Sequence, residues 1–200
     1  MREAILMMMV AVCLSGAATQ PEAKDSKDAP RAAEPSEDTR LAIRNQGYSL
    51  LYQLLDDQKN VSKLLIIKKE QSDVGDLITK IAKTSGEAAK QLEAFSKTDP
   101  QLHLKMDGLP AAERETRDLI SKTRAKELIT KTGEKFELRI LLTQSEALTY
   151  GAHLAAIVQI HETDESRRKV LGDISRHYQD LHQALIDLMH ARWRSPAPTH

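Results

Sequence analysis

The chain has 200 residues, in which 29 Lys and Arg balance 29 Asp and Glu, so its formal net charge is zero. The charges are interspersed along helical faces with no basic stripe, and aromatic residues make up only 4% of the chain, which excludes an electrostatic footprint for nucleic acid and a stacking surface for bases or sugars. The single cysteine, Cys13, excludes a disulfide framework.

The N-terminus reads as a secretory signal peptide over residues 1–18: a short start with Arg2, an apolar run from Ala4 to Leu14, and small residues at Ser15 to Ala18. The run is shorter than the roughly 20 residues a membrane span needs. Gly16 and Ala18 suit cleavage after Ala18, so the mature protein is expected to be exported, periplasmic or secreted, and to lack cysteine, with no transmembrane segment. A lipid anchor on Cys13 is disfavoured, because Val12 stands where a small residue is wanted. Residues 19–38 are rich in Pro, Ala, Ser and charge without a large apolar side chain, and are predicted to be a disordered linker, since too little surface can be buried to offset the ordering entropy. Pro196 and Pro198 mark a disordered tail over 194–200. Between them, residues 39–193 form one domain of about 155 residues, long enough for a real core.

Leu41, Tyr48, Leu51, Leu54, Leu55, Val61, Leu64 and Leu65 keep helical spacing and predict one helix over about 39–70. The run 64–69 is read as that helix's buried centre, with an exposed partner-binding patch as the alternative. A polar break at 71–73, with Ser72 as N-cap, leads to a second helix that Val74, Leu77, Ile78, Ile81, Ala88, Leu92 and Phe95 carry to about 97. Residues 98–109 form the one long loop. Pro110 then suits a first helical position, opening a shorter helix that ends before Thr132 and Gly133. The third main helix follows to His161. Thr163 is the next N-cap candidate, and Val170, Ile174, His177, Leu181, Leu185 and Leu188 trace the last helix to Trp193. No segment alternates like a strand. The expected fold is all-α, an antiparallel four-helix bundle with a short extra helix before the third main helix.

The third main helix carries the candidate chemistry. Phe136, Ile140, Ala147, Gly151, Leu154 and Val158 form its apolar stripe, and Gln144 and His161 fall on the same line. Glu146, Tyr150, His153 and Ile157 form the neighbouring line, so Gln144, Glu146 and Tyr150 outline a polar seam at the edge of the core. Glu146 and His153 lie about 10 Å apart along the axis, too far to share an ion alone. A mononuclear metal site would draw on His153, His161, His177 and Asp173 from the third and fourth helices. The chain has no Glu-x-x-His pair for a di-iron centre, no Gly-x-Ser-x-Gly elbow and no glycine-rich phosphate loop.

The order of parts over about 46–188 resembles a family of exported bacterial proteins of unsettled function with a ferritin-like bundle, described as periplasmic or outer-membrane proteins. The resemblance rests on Gly133, Phe136 and Glu137 at the opening of the third main helix, followed by Gln144, Glu146 and His153. The family's Asp-His pair at the end of the second helix is replaced here by Lys97, Thr98 and Asp99 with no adjacent histidine. The resemblance implies a fold and a location rather than an activity, and the chain as a whole reads as a non-enzymatic, exported module of the cell envelope with a binding or stress-related role, with no catalytic residues and no cofactor expected. Its partner would be an envelope protein or a second copy of the chain. The alternative is a ferritin-like protein holding a transition metal on the third and fourth helices.

Overall fold

The computed structural model describes residues 36–68, 73–99, 101–106 and 109–193. The proposed signal peptide, all but the last three residues of the linker, the Ser72 cap and the 194–200 tail lie outside the described residues, as do the side chains of 66–69. All described regular structure is helical: α1 Glu37–Gln58, α2 Lys63–Lys68, α3 Asp73–Thr98, α4 Ala111–Thr130, α5 Gly133–His161 and α6 Glu165–Trp193. Among the described residues no helix is long and apolar enough to cross a membrane.

The first expected helix is two. α1 opens at Ser36, whose hydroxyl accepts the Thr39 N–H at 3.3 Å, so Glu37 and Asp38 of the expected linker form its first turn. It ends at Gln58, where Asn60 and Val61 donate to the carbonyls of Asp57 and Gln58 in tighter turns. Val61, Leu64 and Leu65 are nevertheless buried, so the apolar periodicity continues across the break and conceals it. At the far end, Asp164 rather than Thr163 caps α6, its carboxylate accepting the Arg167 N–H at 2.8 Å. Pro110 is the cap of α4 rather than its first helical residue. Gly133 has φ +56°, a left-handed conformation that only glycine adopts without strain, and it turns the chain from α4 into α5.

The packed pairs are α5 with α6, α1 with α5, α1 with α3, α3 with α6 and α4 with α5. Side-chain contacts fix their directions. Gly47 meets Val158 and Leu54 meets Gly151, so α1 and α5 run antiparallel. Ser145 to His182 and Gly172 to Gln159 set the same sense for α5 and α6. The Tyr52 hydroxyl donates to Glu93 at 2.7 Å between α1 and α3, while Ser85 and Tyr178 share a buried hydrogen bond of 2.8 Å between α3 and α6. Gly151 is where three helices crowd together. A Cβ there would stand 2.7 Å from the Tyr178 ring and 2.8 Å from Leu54, so the glycine admits a close approach that any side chain would prevent. Leu51, Leu55, Ile78, Phe136, Ile140 and Leu148 are fully buried in the core these helices share.

Candidate functional site

Besides the network that joins Arg192 to Asp73 and Glu137, two polar regions stand out among the described residues, one closed and one open. The closed region ties together α1, the end of α3 and the α5–α6 corner. Glu162 sits at that corner with its side chain wholly buried. Its Oε1 accepts the backbone N–H groups of Thr163 at 2.8 Å and Asp164 at 2.9 Å, and its Oε2 accepts the Tyr48 hydroxyl at 2.7 Å and Arg167 Nε at 3.1 Å. Arg44 approaches it at 3.8 Å, and Asp99 bridges Arg44 at 3.5 Å and Arg167 at 3.2 Å. Two cations therefore meet two anions. Burial alone would raise the Glu162 carboxyl, but the Asp164 amide, the Tyr48 hydroxyl and Arg167 outweigh it and hold the group below the ordinary glutamate range. Burial, reinforced by the bond to Glu162, pushes the Tyr48 phenol strongly up, so it stays a neutral donor.

The open region is a cleft of about 420 Å³ between α1, the 101–106 segment, α4 and the middle of α5. Leu50, Leu54, Met106 and Tyr150 give it apolar walls, and Gln53, Asp57, Lys105, Arg114, Arg117 and Asp118 supply its polar groups. The volume falls within the roughly 300–1,000 Å³ of small-molecule sites, and an apolar wall set beside polar groups that can orient a ligand is found in them too. The loop is held in place by the Ser49 hydroxyl, which donates to the His103 carbonyl at 2.6 Å. Asp57 is half-buried at the α1 end, where it accepts one bond, from the Gln53 amide at 3.1 Å. Burial, with the neighbouring Asp56 charge, pushes its carboxyl up to about 7 against the opposing pull of Gln53 and Lys59.

Comparison with known family models, characterised proteins and solved structures found no match. The site is therefore read from its own residues.

The residues singled out in the sequence scatter across this frame. Tyr150 lines the cleft. Glu146 turns to α4, where Arg124 binds it at 2.6 Å. Gln144 is fully buried on the α5 stripe with Phe136, Ile140, Ala147, Gly151 and Val158. His153 is exposed, and His161 is half-buried with a buried Nδ1 that has no hydrogen-bond partner among the described residues. Asp173 and His177 share a small hollow with Glu87 between α3 and α6, but Asp173 pairs with Arg176. Among the described residues no three His, Cys, Asp or Glu side chains lie close enough to hold a metal ion, so these histidines and Asp173 do not converge on a ligand set. Asp57 escaped the sequence reading because it looks like one of two ordinary acids at a helix end, and Glu162 because it looks like part of a polar turn.

Proposed function

We propose that this chain is an exported, non-enzymatic binding module of the bacterial cell envelope, in which α1, α3, α5 and α6 form an antiparallel four-helix bundle and the cleft beside it takes a small ligand. Support for the bundle comes from the pairwise registers of its helices, and support for export from the signal-peptide pattern of residues 1–18. The observation that carries the binding reading is the cleft itself, a concave, mainly apolar site that contains a carboxyl displaced toward neutrality. An apolar wall beside charged groups supports binding as the role of this cleft.

The test is a ligand screen by NMR on the isotopically labelled mature chain. Small amphipathic molecules are expected to shift the signals of Met106, Ser121 and Tyr150 together, and Leu50→Trp, which fills the cleft, is expected to abolish the effect. Shifts confined to other surfaces would overturn the assignment. The metal-binding alternative is decided by elemental analysis of protein purified without chelators, where about one transition metal per chain, lost in the His177→Ala variant, would displace the present reading.

A further inference from the structure

Resting on the cleft being a ligand site, we propose that its ligand is a small apolar-tailed carboxylate, its head bound by Arg114 and Lys105 and its tail laid along Leu50, Leu54, Met106 and Tyr150. Two of the charges in the cleft are already committed to neighbours on their own helix. Arg117 is engaged by Glu113 at 2.6 Å, and Asp118 by Lys122 at 2.5 Å. Among the described residues neither the Arg114 nor the Lys105 side chain forms a hydrogen bond or ion pair, although both line the cleft. A guanidinium and an ammonium thus stand open at the mouth of an apolar trough. A guanidinium fork matches a planar carboxylate through two parallel hydrogen bonds, and water exclusion along the trough strengthens them.

Among the described residues of the cleft, Asp57 is the one acid without a cationic partner at ion-pair distance. It faces Gln53 and Lys59 on its own side, Asp56 beside it, Arg114, Arg117 and Asp118 across the cleft on α4, Lys105 from the loop and Tyr150 from α5. Below about pH 7 it is a neutral acid that can donate its proton to a ligand carboxylate, and above that it repels one. None of the described cleft residues is a histidine, and Asp57 is the acid placed to respond to pH near 7. An amine ligand would show the reverse dependence.

The mature chain, titrated calorimetrically with decanoate, decylamine and decanol, separates the possibilities because the three probes share one tail. Decanoate is expected to bind most tightly, to bind severalfold more weakly at pH 8 than at pH 6, and to lose about tenfold in affinity in Arg114→Glu, while decanol binding is unchanged. Asp57→Asn is expected to remove the pH dependence and keep decanoate binding. Arg114 is exposed, so its replacement leaves the fold intact, and circular dichroism checks this. Tighter decylamine binding, displaced by Leu50→Trp, would overturn the carboxylate while leaving the cleft as a site. Failure of all three probes to bind would overturn both.

Discussion

Asp57 and Glu162 are both carboxylates drawn out of water, and the protein treats them in opposite ways. Glu162 is surrounded by two backbone amides, a phenol and two guanidinium groups, and it stays ionised below the usual range. Asp57 receives a single amide bond and has Asp56 next to it, and it is pushed up to about 7. Burial opposes ionisation at both, and the Glu162 side chain has no solvent exposure at all. What separates them is how many donors the fold supplies against the desolvation cost. A fully satisfied carboxylate locks three elements together and has nothing left to offer a ligand. An under-satisfied one in an open cleft retains its binding capacity.

The largest test of this contrast is Glu162→Leu. It leaves Arg44 and Arg167 buried with only Asp99 between them, and unfolding in denaturant should show a loss of about 3–5 kcal/mol. Next is Asp57→Asn. The folded chain keeps the Asp57 proton to about pH 7, whereas the unfolded chain releases it near 3.8, so the folded state loses stability as pH rises across that window and levels off above it. The amide cannot ionise, so the variant should gain about 1–3 kcal/mol at pH 8 and nothing at pH 4, measured as denaturation midpoints at the two values. The sign at Glu162 is opposite. Its lowered carboxyl contributes stability that is present above the unfolded value of 4.5 and lost as pH falls through the folded one. The smallest effect is Tyr48→Phe, which removes one of several donors and should cost about 1–2 kcal/mol while raising the Glu162 midpoint.

The helices were largely legible in the sequence because burial follows their period. The α5 stripe is buried at Phe136, Ile140, Ala147, Gly151 and Val158 as its spacing requires, and Gly133 marks the turn before it. The end of α1 was not legible, because the turn after Gln58 contains neither Gly nor Pro and keeps Val61 and Leu64 facing the core. The polar seam was legible only as an edge. Its members face different neighbours: Tyr150 the cleft, Glu146 the Arg124 side chain, Gln144 the core. The two carboxylate environments were hidden because their partners are remote. Tyr48 lies 114 residues from Glu162, and the wall facing Asp57 comes from a loop and a helix that follow it by about 50–60 positions, so no local pattern records either. His153 lay on a line one step from the buried α5 stripe, which leads outward, and His177, expected on the α6 stripe, is exposed because Ile174, Tyr178, Leu181 and Leu185 carry the buried face there.

The contrast between an exhausted carboxylate and an available one is tested most directly by following both groups in a single carbon-detected NMR titration of the side-chain carboxyls from pH 2 to 9. Asp57 should change with a midpoint near 7, and Glu162 should remain ionised well below the glutamate reference of 4.5. An Asp57 midpoint near 4, or a Glu162 midpoint above 4.5, would contradict the account.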